Sequence, residues 1–137
     1  MTRKKQPGRQ NASNQKVGSS ETTFKPYISM PLKSGWHRHH IGLAAILRRA
    51  RSRALRELQD EMGAEYVSPQ THQRMHTVVN NALKRAGLYP GAKRSFSEAE
   101  VKRALRVLID TYRTEGVSDY ADYLEGFLGA LRNARML

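Results

Sequence analysis

The chain has 137 residues, 24 of them lysine or arginine and 12 aspartate or glutamate, which gives a net charge of +12 and an isoelectric point of about 10.5. It contains no cysteine, which excludes a disulfide, a thiolate metal cage and a cysteine nucleophile, and which is typical of an intracellular protein. No apolar run approaches the roughly 18 residues of a membrane-spanning helix, and no signal-peptide pattern follows the basic start. The length predicts one domain with a tail, and the charge indicates nucleic acid as the partner, ahead of an anionic membrane surface.

Residues 1–40 have the composition of a flexible basic tail. Eight lysines or arginines stand against one acidic residue, Glu21, so the segment carries +7 of the net charge, and up to Thr23 it has almost nothing apolar to bury. Such an arm binds along phosphates and gains affinity from counterion release, without reading sequence. A solubilising terminus or a transit peptide is the alternative. The residues from which we expect phosphate contacts are Arg3, Lys4, Lys5 and Arg9.

One part of this tail, Phe24–Trp36, differs in composition from the rest. It interleaves aromatic and aliphatic residues with Pro26 and Pro31. Proline resists helix formation and favours an extended backbone before it. We expect this segment to pack across the body of the protein or against a partner.

Five histidines raise the question of a metal site. His37, His39 and His40 are close in sequence, and His72 and His76 are one helical turn apart. This spacing is not that of a known zinc finger, and no cysteine or well-placed carboxylate completes a ligand set. We therefore expect no metal, and histidines that face phosphates or solvent.

The first predicted helix covers Ile41–Met62 and has an apolar stripe at helical spacing. Arginines occupy most of its other positions in the first half. Guanidinium groups are planar donors that bind phosphate oxygens in pairs, so we expect this face to contact nucleic acid; a solvated arginine face is the alternative. The arginines that we assign to the contact are Arg48, Arg49, Arg51 and Arg53.

The second predicted helix is the clearest in the chain and lies between Ser68 and Gly87. Ser68 is suited to cap its amino end, proline follows at the first helical position, and Gly87 is suited to end it in a left-handed conformation. One stripe of the helix is apolar, and its central members are Met75, Val79, Ala82 and Ala86.

Two further helices follow. Ser97 and Glu100 form a capping box at the start of the third, which we expect to end at Gly116. The fourth begins with Ser118-Asp119 and continues through Leu131, with Arg132 and Arg135 near its carboxyl end. No strand pattern of useful length is present, so we predict an all-α fold, helix–loop–helix–loop–helix with an additional C-terminal helix, in a helical domain at residues 41–137 behind the tail at residues 1–40.

The loop and third helix resemble those of a known family. Lys93-Arg94-Ser95, followed by a helix with Ser97, Glu100-Val101 and the run from Ala104 to Ile109, resembles the corresponding part of core histones, above all histone 2B. Upstream, Val67-Ser68, Met75, Val79-Asn80 and the run Arg85 to Gly87 resemble the start of the histone central helix. The resemblance covers roughly residues 50–116.

The resemblance implies a histone-fold protein that packages DNA, located in the nucleus and chromatin or in a viral particle. It implies phosphate contacts at the two junctions between helices, which here correspond to Ser68, Lys93, Arg94 and Ser95. It also implies pairing with a second histone-fold chain, with Met75, Val79, Ala82 and Ala86 in the interface. DNA is favoured over RNA on this basis.

The alternative is a protein of another class: a structural component of a virion or ribonucleoprotein whose basic arm binds RNA. An enzyme is not expected. Glu98 and Glu100 belong to the capping box, Asp119 and Asp122 open a helix, and no neighbouring histidine or lysine is implied by their spacing. There is also no glycine loop that would hold a phosphate. We expect no catalytic residue and no cofactor.

Overall fold

A short antiparallel sheet lies at the centre of the protein, which a computed structural model describes at residues 8–10, 24–41 and 44–137. Its strands are β1 (Arg9–Gln10), β2 (Lys25–Pro26), β3 (His37–His40) and β4 (Gly63–Val67). All three other strands pair with β4. β3 follows one edge of β4, from His37 opposite Val67 to His40 opposite Ala64, while β1 and β2 share the two ends of the other edge.

The all-α prediction is therefore wrong, and the chain does not have the helix-only, histone-fold-like architecture expected. The five residues of β4 are all buried because the strand has a core on each face. Ala64 and Tyr66 pack with Met30 on one face, and Glu65 meets Tyr120 on the other. A strand buried on both faces lacks the alternation of apolar and polar residues by which strands are predicted, and five residues are too few for any other signal.

Five helices complete the described fold: α1 (Ala44–Arg48), α2 (Arg53–Arg56), α3 (Pro69–Arg85), α4 (Glu98–Thr114) and α5 (Ser118–Asn133). The long helix predicted at Ile41–Met62 is wrong, because α1 ends after five residues. Ser52 caps α2 by accepting a hydrogen bond from the Leu55 backbone, and a 3-10 turn at Gln59–Glu61 leads into β4. The apolar residues thus keep helical spacing across the break between α1 and α2. Backbone contacts with Phe96 impose this break.

The three long helices are confirmed, together with their starts and with the ends of α3 and α4 at Gly87 and Gly116. Ser68 Oγ accepts a hydrogen bond from the Thr71 backbone N–H at 3.2 Å, and Gly87 has the positive φ of 73° expected where α3 ends. Ser97 and Glu100 make both hydrogen bonds of the capping box at the start of α4. None of the helices in the described ranges is long and apolar enough to cross a membrane.

Both described segments of the predicted tail are attached to the body. The Ser68 backbone N–H donates to the Gly8 carbonyl at 2.6 Å, next to β1. Phe24 is buried against the rings of Tyr120 and Tyr123, so the expected packing of the segment Phe24–Trp36 across the body occurs. The remainder of residues 1–40, at 1–7 and 11–23, lies outside the described residues.

Candidate functional site

The arginine-rich segment around Arg48–Arg53 and the loop Lys93–Ser95, which were predicted separately as phosphate contacts, lie side by side. The backbone N–H of Phe96 donates to the Arg49 carbonyl at 2.8 Å, and that of Arg51 donates to the Phe96 carbonyl at 2.9 Å. Arg51 Nε also donates to Ser95 Oγ at 3.2 Å. We call the combined region the basic surface; it consists of Arg48, Arg49, Arg51, Arg53, Lys93, Arg94 and Ser95.

Most arginines of the basic surface are available to an anion. Arg48, Arg51, Arg53 and Arg94 are exposed, whereas Arg49 is half-buried and donates to the Ala45 carbonyl. Arg53 makes an ion pair with Glu57, but both side chains are more than half exposed, at 82% and 64%. An exposed pair of this kind contributes little, about 0–1 kcal/mol, so a phosphate can displace it.

Lys93 is the least available cation of the basic surface. Its Nζ lies 2.8 Å from Glu100, and its side chain is about one quarter exposed. The hydrogen bonds from Lys93 and from the Ser97 backbone lower the pKa of the Glu100 carboxyl to about 2. Glu100 is therefore ionised at neutral pH and compensates the charge of Lys93.

Arg56, the fifth arginine of the predicted helix face, supports the basic surface through hydrogen bonds to the backbone. Its Nη1 donates to the carbonyl oxygens of Ala50 and Arg51, each at 2.8 Å. These bonds hold the turn between α1 and α2, which places Arg51 beside Ser95. Only the tertiary structure identifies this role, because the break in the predicted helix is not visible in the sequence.

The other predicted nucleic-acid contacts have different positions. Arg3, Lys4 and Lys5 lie outside the described residues, and Arg9 is described only through the backbone of β1. The hydroxyl of Ser68 is engaged in capping α3 and in a 2.9 Å hydrogen bond to Thr71 Oγ1. Ser68 thus has a structural task, and among the described residues none of its hydrogen bonds reaches the basic surface.

The predicted partner interface lies within the protein's own core. Met75, Val79 and Ala82 are 4%, 2% and 8% exposed, and Ala86 is half-buried at the end of the same stripe. The stripe packs in the main core together with residues of α4 and α5. The chain itself therefore covers the surface for which the resemblance implied a second chain.

Four of the five histidines meet where β3 packs on α3. His37 and His39 project from one face of β3 towards His72 and His76, with neighbouring ring centroids 4.4 to 5.4 Å apart. His40, on the other face, stacks on Tyr27 at 3.8 Å. We call His37, His39, His72 and His76 the histidine cluster. The expected solvent exposure does not hold for His39, which is 2% exposed.

The ring nitrogens of the histidine cluster lie close together, and the lowered pKa values of two of its members favour uncharged rings. One ring nitrogen from each of His39, His72 and His76 lies within 4.8 Å of the others, and His37 Nδ1 lies 2.9 Å from His72 Nδ1. Burial, with the neighbouring His76 and His37, lowers the pKa of His72 to about 4. Burial also lowers the pKa of His76. Both imidazoles are therefore neutral at physiological pH.

Polar groups of the core support the cluster from beneath. His39 Nε2 lies 3.3 Å from the hydroxyl of Tyr112, whose pKa burial raises, so that the phenol stays protonated. Glu65 stands opposite His39 in the sheet and is fully buried; it accepts a hydrogen bond from the Tyr120 hydroxyl at 3.2 Å. Tyr112 lies 73 residues after His39 and Tyr120 lies 55 residues after Glu65 in the sequence, so no local pattern connects these groups.

The fold and these two regions define a small mixed α/β protein with an arginine-rich surface and a histidine cluster. The chain matches no protein-family model, no curated protein and no solved structure.

Proposed function

We propose that this protein is a non-enzymatic nucleic-acid-binding protein that contacts DNA phosphates without sequence specificity and serves in packaging. The observation that carries the proposal is the contact between Arg51 and Ser95, which joins the arginines of α1 and α2 to the Lys93–Ser95 segment. One continuous basic surface thus contains cations from two distant parts of the chain.

Charge distribution supports the same conclusion. Between Ala44 and Arg56 there are five arginines and no acidic residue, and the segment 1–40 carries a further +7. Each phosphate that a cation neutralises releases condensed counterions, which drives binding in a way that depends on salt and not on base sequence. Phosphate contacts of this kind fix position on a duplex and carry no base identity.

Duplex DNA is our first choice of ligand because Lys93-Arg94-Ser95 resembles the phosphate-contacting loop of core histones. The proposal places the protein with packaged DNA, in the nucleus or a viral particle. It does not require a second chain, since the apolar stripe of α3 is covered by α4 and α5. RNA in a virion or ribonucleoprotein is the alternative ligand, and the test below distinguishes the two.

The test measures the affinity of the full chain for a panel of DNA duplexes over a range of salt concentrations. Replacing Arg48 and Arg94 with glutamine should reduce affinity equally for all duplexes, and the slope of log affinity against log salt should fall by about one for each lost contact. Both side chains are exposed, so the fold should be unaffected.

A control variant with the same change in charge replaces Arg74 and Arg113 with glutamine. Arg74 is paired with Glu115, and Arg113 with Asp122 and Glu125, so neither is expected to contact phosphate. Equal losses in the two variants would show that only the overall charge matters and would contradict the proposed surface. Tighter binding to single-stranded RNA than to duplex DNA would favour the RNA alternative.

A further inference from the structure

We propose that His39, His72 and His76 form a binding site for a divalent transition metal ion, with Zn²⁺ the best fit. The site joins β3 to α3, on elements separate from those that carry the basic surface. It goes beyond the proposed function, because neither charge nor nucleic-acid binding requires it.

The arrangement of ligands on the backbone is well suited to a metal. His72 and His76 are four residues apart on α3 and therefore share one face of the helix, a spacing that holds zinc in several enzymes. His39 approaches from the strand, so that ring nitrogens of three residues lie within 4.8 Å of one another. Zinc–nitrogen bonds of about 2.0–2.1 Å in tetrahedral geometry place such nitrogens about 3.4 Å apart. Small side-chain rotations achieve this contraction, since His72 and His76 are only half-buried.

The surroundings of the three rings are those of an imidazole site. Metal binding requires the neutral form of each imidazole. Histidine ligands are oriented by a hydrogen bond to their second nitrogen. Here the Tyr112 hydroxyl lies 3.3 Å from His39, and His37 Nδ1 lies 2.9 Å from Nδ1 of His72, which leaves Nε2 of His72 to bind the ion.

The ligand chemistry selects the class of ion. Imidazole suits Zn²⁺, Cu²⁺ and Ni²⁺, whereas Mg²⁺ and Ca²⁺ prefer oxygen. Three histidines leave the fourth position of a tetrahedral ion to a water molecule. His37 acts as a positioning residue, because it reaches the ion through His72. A bound ion would fix β3 on α3 and stabilise the folded chain by mass action.

The experiment titrates the full chain, purified in chelator and free of nucleic acid, with Zn²⁺ in a calorimeter and in a thermal unfolding assay. We expect one ion per chain, a higher Tm with Zn²⁺, no effect of Mg²⁺, and a tetrahedral visible spectrum with Co²⁺. The double variant His72→Gln/His76→Gln should lose this binding. His37→Gln should weaken it about 10- to 100-fold, as loss of an orienting partner does.

The matched control is His40→Gln, which alters the one histidine outside the cluster, on the opposite face of β3. It should bind Zn²⁺ as tightly as the wild type. Wild-type protein that binds no ion at one per chain, or a double variant that binds as tightly as wild type, would overturn the proposal and indicate adventitious binding only. Circular dichroism checks the fold of each variant. If the double variant unfolds, the two single variants decide. Unchanged Zn²⁺ affinity in His37→Gln overturns the positioning role, and a loss of Zn²⁺ affinity in His40→Gln equal to that in His37→Gln overturns the site. None of these results depends on whether the protein binds DNA.

Discussion

Arg51 Nε donates a hydrogen bond to Ser95 Oγ over 3.2 Å, which joins positions 44 residues apart in the chain. Two backbone hydrogen bonds beside it, between Phe96 and the residues Arg49 and Arg51, make the junction a short parallel bridge. Backbone hydrogen bonds thus hold the two basic segments together, and the side-chain contact aligns the Arg51 guanidinium with the loop that contains Ser95. This alignment leads to the first prediction.

Ser95→Asp should weaken nucleic-acid binding, because the new carboxylate would pair with Arg51 and repel phosphate. The slope of log affinity against log salt should fall by about one to two, since both the added charge and the occupied arginine reduce phosphate contacts. Ser95→Ala removes the hydroxyl without changing charge and should leave the slope as it is. Asn81→Asp, at an exposed position of α3, gives the same charge change and should have the smaller effect. Equal slopes for Ser95→Asp and Asn81→Asp would remove Ser95 from the interface.

Removal of residues 1–7 should separate the charge of the amino end from the stability of the fold. This deletion takes away Arg3, Lys4 and Lys5, and it should reduce the salt slope by up to about three while Tm stays the same. Removal of residues 1–40 should instead unfold the protein, because it also deletes β2, β3 and the buried Phe24. The sequence alone had indicated a body that folds without these residues. A folded 41–137 fragment, as judged by circular dichroism, would contradict the role of the sheet.

Val79→Asp should unfold the isolated chain. Val79 is 2% exposed in the main core, and an unpaired carboxylate there costs several kcal/mol. Val78→Asp is the matched control, since the neighbouring side chain is only partly buried and should tolerate the change far better. Urea denaturation of both variants measures the difference. If Val79→Asp left the free chain as stable as wild type and abolished only an association with a second protein, the stripe would be an interface.

Gly63→Ala should destabilise the centre of the sheet by about 1–3 kcal/mol, as overpacking does. An added Cβ would lie 2.9 Å from Phe24 Cβ and 2.9 Å from Tyr123 Cζ, so Phe24 and the ring of Tyr123 would both have to shift. Gly129→Ala is the control, because nothing beyond the adjoining residues and the nearby backbone of α5 lies within 4 Å of a Cβ at that position. It should stabilise α5 by about 0.5–1 kcal/mol. Free energies of unfolding that change in the same direction would contradict the close packing at Gly63.

Acid should weaken the start of α4 through Glu100. The hydrogen bond from Lys93 is the main reason that the pKa of Glu100 falls from 4.5 to about 2 in the folded protein. Since the unfolded state binds the proton more readily, this contribution to stability is fully present above about pH 4.5 and is lost as the pH falls towards 2. Glu100→Gln should flatten the dependence of unfolding free energy on pH in this window. An unchanged pH profile in the variant would show that the ion pair has no net effect.

The sequence by itself determined the three long helices, and their ends could be predicted to within a few residues. Ser68, Gly87 and the pair Ser97 and Glu100 act locally, through hydrogen bonds within one turn and through a backbone conformation that glycine readily adopts. The surplus of positive charge and the candidate phosphate-binding residues could also be chosen from the sequence, because charge requires no fold to be counted. Whether they bind nucleic acid stays a prediction.

Only the tertiary structure decided the sheet, the break after α1 and the histidine cluster. β3 has the sequence HRHH and β4 is buried on both faces, so neither carries the alternation that marks a strand; each exists because the other supplies its hydrogen bonds. The α1 break depends on Phe96, far along the chain. The sequence shows two separate groups of histidines, and pairing of β3 with β4 against α3 is what brings His39 to His72 and His76. Contacts between distant residues have no local signature, which is the physical reason why the sequence could not reveal them.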